Sequence, residues 1–112
     1  MAKEIFNSGS SHNTIASGTN IQGHVVAETD LRLDGEIAGN ISCSGKIIIG
    51  EKASVKGDII AESAEIMGIV HGNIQVKEIL TIKSTAQIHG NVQMHTLSVE
   101  PNAILTGFCS MI

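Results

Sequence analysis

A short unit that returns six times constrains this chain more than any other feature. Two of its clearest copies lie between Leu80 and Phe108. One reads Leu80-Thr81-Ile82, then Ala86-Gln87-Ile88-His89-Gly90-Asn91-Val92-Gln93-Met94. The other reads Leu97-Ser98-Val99, then Ala103-Ile104-Leu105-Thr106-Gly107-Phe108-Cys109. A unit this short cannot bury its own apolar face, so copies must stack.

The copies align on a glycine preceded two residues earlier by an aliphatic. These anchors are Gly23, Gly39, Gly57, Gly72, Gly90 and Gly107, at spacings of 16, 18, 15, 18 and 17 residues. Two residues before them stand Ile21, Ile37, Val55, Val70, Ile88 and Leu105. Two residues after stand Val25, Ile41, Ile59, Ile74, Val92 and Cys109. Four after stand Ala27, Cys43, Ala61, Val76, Met94 and Met111. A further pair completes each unit: Leu31 and Leu33, Ile47 and Ile49, Ala64 and Ile66, Leu80 and Ile82, Leu97 and Val99. The separations are two or four, the period of strands, and β-branched residues dominate the columns. Asn40, Asp58, Asn73 and Asn91 follow their glycines directly, as turn chemistry demands. Most of the variation in unit length falls between the last residue of the further pair and the next aliphatic. That gap is 4, 6, 4, 6 and 6 residues.

The spacing predicts an all-β chain, a parallel β-solenoid of about six roughly triangular coils. Stacked at ~4.8 Å per layer, six coils make a rod on the order of 30 Å long. Composition agrees. Apolar residues make up 42% of the chain, yet it has two Phe and neither Trp nor Tyr, so the core is narrow and aliphatic. Net charge is −4 with no Lys/Arg cluster, which argues against nucleic acid as a partner. Two cysteines 66 residues apart have no metal-type spacing and suit a reducing, intracellular setting. No apolar run approaches a membrane span, and the start lacks a secretory core. Residues 1–14 differ from the rest. Asn7 to Thr14 is small and polar, so 1–14 is expected to be a flexible tail and 15–112 the repeat domain. Met1, Ile5 and Phe6 give that tail an apolar tip. They are the candidate membrane contact, weak singly and strengthened by avidity on a polymer.

The ends of the stack carry the functional expectation. A parallel solenoid leaves an open strand edge and a bare core layer at each tip, and soluble examples cap them. The last coil runs through Leu105, Phe108, Cys109 and Met111 to Ile112 with no cap signal. Phe108 also stands in a column otherwise made of His24, Asn40, Asp58, Asn73 and Asn91. The expectation is end-to-end self-assembly, with Leu105, Phe108 and Met111 at one tip and Ile15 and Ile21 at the other as the polymerisation interface.

Residues 13–112 resemble the bactofilins. Asn13-Thr14-Ile15-Ala16-Ser17-Gly18-Thr19-Asn20-Ile21-Gln22-Gly23 is similar to that family's opening. Val76-Lys77-Glu78-Ile79-Leu80-Thr81-Ile82-Lys83-Ser84-Thr85-Ala86 is similar to its most recognisable internal stretch, and Leu97 to Met111 to its closing coil. The resemblance implies a right-handed triangular β-helix and nucleotide-independent, non-polar filaments formed by like ends meeting. It also implies a bacterial cytoskeletal scaffold at the inner, cytoplasmic face of the membrane. Such a scaffold organises cell-wall or other morphogenetic proteins. The family's interface aromatic falls on Phe108, and its membrane-targeting tail on Met1 to Phe6.

No catalytic, cofactor or metal site is expected. His71 and His89 hold equivalent positions on adjacent coils, with Lys56 one coil further, but a third ligand is missing. Acid could charge this ladder and loosen the rod. Cys43 reads as a small core hydrophobe and Cys109 as its counterpart on the end coil. Asp34, Glu36, Glu51, Asp58, Glu62 and Glu65 are scattered, with no convergent acid–base pair, and no Gly-rich phosphate loop occurs. Two rivals remain. Ile49, Val55, Ala61 and Met67 recur every six residues, as in trimeric hexapeptide-repeat acyltransferases and their carbonic-anhydrase relatives, although that register soon slips. The other is a solenoid scaffold that stays short and does not polymerise.

Overall fold

A computed structural model of the chain describes residues 12–112. The first coil contains β1 (His12–Ile15), β2 (Asn20–Gln22) and β3 (Val25–Ala27). The second contains β4 (Asp30–Leu33), β5 (Glu36–Ala38) and β6 (Ile41–Cys43). The third contains β7 (Lys46–Ile49), β8 (Ser54–Lys56) and β9 (Ile59–Ala61). Then come β10 (Ser63–Ile66), β11 (Ile69–His71) and β12 (Ile74–Val76), followed by β13 (Ile79–Ile82), β14 (Gln87–His89) and β15 (Val92–Met94). The last coil holds β16 (Thr96–Val99), β17 (Ile104–Thr106) and β18 (Cys109–Met111). Among the described residues there is no helix.

The strands form three parallel six-stranded sheets, one per face of a prism. Their orders are β1-β4-β7-β10-β13-β16, β2-β5-β8-β11-β14-β17 and β3-β6-β9-β12-β15-β18. The chain is therefore the parallel β-solenoid of six coils that the spacing predicts. Register follows the columns. Ile21 pairs with Ile37, Ile37 with Val55, Val55 with Val70, Val70 with Ile88 and Ile88 with Leu105. Strand structure is already present at His12, the first described residue and ahead of residue 15, and β1 adds a rung in which Asn13 pairs with Leu31 and Ile15 with Leu33.

Each strand turns alternate side chains inward, and the core is a single column of aliphatic layers from Ala27 to Met94. No polar or charged residue is buried among the described residues. The corner between the first and second face explains the uneven repeat length. Where it is short, as at Met67-Gly68, the coil buries five side chains. Where it is long, a sixth enters: Ala53 in the third coil and Ala86 in the fifth, both buried. The short corner tucks beneath the long one. At Gly68 an added Cβ would run into the carbonyl oxygens of Gly50 and Ala53.

The next corner never varies in length. Its glycines have positive φ, 148° at Gly72, and a Cβ there would strike the carbonyl oxygen of Gly57 one coil back. A bare α-carbon lets successive coils approach at this edge. The following residue then joins a ladder along the rod. The Asp58 N–H donates to Asn40 Oδ1 at 2.9 Å, Asn73 N–H to Asp58 Oδ1 at 3.0 Å, and Asn91 N–H to Asn73 Oδ1 at 3.0 Å.

Candidate assembly interface

The two tips of the prism are where the regular burial stops. At the last coil Leu97, Ala103 and Leu105 are only partly covered. Beyond them Phe108 is 77% exposed and Met111 68%, and Val99, Ile104 and Ile112 are exposed too. Among the described residues nothing lies over this layer. Leu105, Phe108 and Met111 thus sit together on one surface, Leu105 on β17, Met111 on β18 and Phe108 at the corner between. Val99 and Cys109 join them, each carrying a core column onto the final rung by pairing with Ile82 and Val92; Ile104, in the outward column of Ile69 and Gln87, and Ile112, next after Met111, are exposed on the same coil.

Ile15 and Ile21 sit at the opposite tip, half-buried with Val25 against the first full layer. This tip is the more polar one. Asn13 occupies a rung whose other members are aliphatic, and its Nδ2 donates to Thr29 Oγ1 at 3.3 Å. Met1, Ile5 and Phe6 lie outside the described residues.

Phe108 has a specific place in the side-chain ladder. Its N–H donates to Asn91 Oδ1 at 3.1 Å, as each earlier member donates to the coil before it. Its own side chain has no acceptor to offer a following coil. At the other end His24 Nδ1 accepts from Asn40 N–H at 3.3 Å and begins the series. The ladder is closed at the Phe108 tip by an apolar ring.

Charge is arranged to match. Between residues 13 and 27, and again between 101 and 112, there is no Asp, Glu, Lys or Arg. Among the described residues the ion pairs lie along the sides: Arg32–Asp34 at 2.9 Å, Lys46–Glu65 at 3.5 Å, Lys77–Glu62 at 3.4 Å and Lys83–Glu100 at 3.3 Å. Glu100 also accepts the Ser84 N–H at 3.1 Å, which fastens the last coil to the one before.

The other candidate groups take quieter places. His71 and His89 are register partners, and their rings stack at 4.8 Å with 10° between planes. Among the described residues no group of three or more His, Cys, Asp or Glu could hold a metal ion. Cys43 is buried, its thiol donating to the Thr29 carbonyl at 3.3 Å, and burial pushes that thiol's pKa up. Cys109 is free and exposed on the end coil, with Sγ 3.8 Å from Met94 Sδ. No helix among the described residues is long and apolar enough to cross a membrane.

Comparison with known proteins gives a family match. Residues 13–110 match the family model described as "Bactofilin: Polymer-forming cytoskeletal". Bactofilin BacO of Myxococcus xanthus (strain DK1622) is 26% identical over 97 residues, covering 87% of this chain and 77% of that protein. Bactofilin BacP of the same organism is 24% identical over 111 residues, which is 98% of this chain but only 46% of BacP. The chain thus spans about half the length of BacP. No solved structure gives a significant match.

Proposed function

The chain belongs to the bactofilin family of polymer-forming cytoskeletal proteins, and from that premise we propose that it is a filament subunit joined end to end without nucleotide. The observation that carries this reading is the open aliphatic layer at the Phe108 tip. A bare core layer beside an unpaired strand edge is stabilised best by a second molecule that supplies both the missing hydrogen bonds and the missing apolar cover. The lack of Asp, Glu, Lys and Arg in residues 13–27 and 101–112 supports it, since like tips then meet with little repulsion.

The ladder supports like ends meeting. A first coil set upon a last coil would present its His24 N–H to Phe108, which has no acceptor. Two Phe108 tips meeting instead bury ring against ring, with the remaining contact between two Ile15 and Ile21 tips. The result is a non-polar filament. Membrane association rests on the apolar Met1, Ile5 and Phe6, repeated once per subunit. Localisation at the inner face of the cytoplasmic membrane, and a scaffold role for cell-shape or cell-wall proteins, follow from the family reading.

Negative-stain microscopy of the purified protein, with neither nucleotide nor metal added, tests the proposal. Filaments of uniform width are expected. Discrete trimers would favour the hexapeptide-repeat alternative, and small single particles a scaffold that does not polymerise. Either result would overturn the filament reading. Deleting residues 1–6 should lower liposome co-sedimentation of filaments, and unchanged binding would remove the lipid contact.

A further inference from the structure

Sulfur gathers on one face of the last two coils. The face built on β3, β6, β9, β12, β15 and β18 turns two side chains of each strand toward the core. One inward column runs from Val25 to Val92 and Cys109, the other from Ala27 through Cys43 to Met94 and Met111. Before the last two coils Cys43 is the only sulfur in these columns; in the last two, three of the four positions carry it. β15 and β18 are in register, so Cys109 stacks on Val92 and Met111 on Met94. Met94 is fully buried, and its Sδ lies 3.8 Å from Cys109 Sγ. Cys109 is a free, exposed thiol, and Met111 is 68% exposed.

We propose that Cys109, Met94 and Met111 form a binding site for one soft monovalent metal ion of the Cu(I) class. All three sulfurs belong to one chain, so the site stands independently of the filament reading. One thiolate with two thioethers is a donor set that Cu(I) selects. Zn(II) sites are built from thiolate, imidazole and carboxylate instead. The spacing fits as well. A metal–sulfur bond is ~2.3 Å, so two sulfurs on one three- or four-coordinate ion lie about 3.8–4.0 Å apart. Cys109 Sγ and Met94 Sδ already stand at 3.8 Å. Charge then selects the monovalent ion. Binding replaces the Cys109 S–H bond by a sulfur–metal bond and releases the proton to water. The thiolate and a monovalent ion sum to zero. Residues 101–112 contain no Asp, Glu, Lys or Arg, so a divalent ion would leave net charge against the apolar end layer.

Met111 completes the site from the open side. Met94 is fixed in the core, whereas exposed Met111 has an unbranched thioether chain with three rotatable bonds and adjusts to an ion without moving the backbone. Cys43 has no such neighbours. Ala27 and Ala61 flank it in its column, and its thiol donates to the Thr29 carbonyl. His95 stands next to Met94 in sequence, but its Nδ1 is engaged with the Ile112 backbone oxygen at 3.1 Å. The spacing of the two cysteines carries no sign of this site, because two of its three donors are methionines.

The probe is Cu(I) itself, kept reduced with ascorbate under argon and supplied as its coloured bicinchoninate complex to the dilute full chain. Loss of colour counts the ions withdrawn. Wild type and Cys43→Ala should each withdraw one ion per chain, and Cys109→Ser none. Met94→Leu and Met111→Leu should each bind about ten-fold or more weakly, since losing a ligand costs at least as much affinity as losing an outer-shell partner. Met111 is exposed and Met94→Leu conserves core volume, so both variants keep the fold, which circular dichroism checks. X-ray absorption of copper-loaded wild type should show sulfur alone around the metal. No withdrawal by wild type, an ion retained by Cys109→Ser, wild-type affinity in either methionine variant, nitrogen in the copper shell, or displacement of the ion by an equal concentration of Zn(II) would each overturn the proposal.

Discussion

Replacing Phe108 by Arg should separate assembly from folding. The ring is 77% exposed, so the fold loses little with it, and the backbone bond from Phe108 N–H to Asn91 Oδ1 survives any side-chain change. In a junction of like ends two rings are buried together. Fully burying a Phe contributes ~1.5–3 kcal/mol, and three-quarters of that, twice over, is roughly 2–5 kcal/mol per junction. At 1.4 kcal/mol per decade the junction weakens about thirty- to three-thousand-fold, before the repulsion of two facing guanidinium groups is added. Circular dichroism should show an unchanged fold and a Tm within a few degrees of wild type. Sedimentation velocity should show no filaments, and the largest species should be a dimer held by the unaltered Ile15 and Ile21 tips. Long filaments of Phe108→Arg would refute the reasoning outright, and a head-to-tail polymer seen by microscopy would refute the ladder argument for like ends.

Other predictions concern the rod itself. Gly72→Ala should lower stability by at least about 2 kcal/mol, because its positive φ and the Gly57 carbonyl both oppose a Cβ; thermal denaturation reads this directly, and an unchanged Tm would contradict it. Asn73→Ala removes one rung of an exposed ladder and should cost only about 0.5–1.5 kcal/mol, a smaller Tm loss than that of Gly72→Ala. Cys43 sets a pH dependence. Burial raises its folded pKa above the ordinary 9.0. Its contribution is therefore fully present below about pH 9 and is lost as pH rises toward the folded value, because the unfolded thiol ionises first. Melting temperatures at pH 8 and pH 10 should differ more in wild type than in Cys43→Ala; equal differences would remove the thiol as the cause.

The columns of the sequence became the rungs of the sheets because parallel in-register stacking places residues one repeat apart directly above each other. Ile21 through Leu105 is legible as one rung series from spacing alone, and so is the bare final layer. Two features resisted such reading. Asn13 stands in an aliphatic column, so the pattern broke there and the residue read as tail; only backbone pairing with Leu31 puts it on the rod. Ala53 and Ala86 hid within the longer corners, since a single alanine in a turn carries no periodicity. The polar column of Asn40 to Asn91 was visible as a column. That each member accepts from the backbone of the next coil depends on side-chain direction, which spacing does not carry.

The tips are unequal, and the inequality sets an order of assembly. The described residues of the first coil leave Ile15, Ile21 and Val25 half-buried and put polar Asn13 on the rim. The last coil leaves Phe108, Met111, Val99 and Ile112 exposed. More apolar surface is recovered where two last coils meet, so that junction should be the tighter one. On dilution, filaments should break first at the first-coil junctions and leave dimers joined through Phe108. Such dimers should persist at concentrations where Phe108→Arg is already monomeric. Sedimentation velocity across a dilution series gives the order. If wild type and Phe108→Arg dissociate to monomers at the same concentration, the open layer at the Phe108 tip is not what holds the tighter junction together.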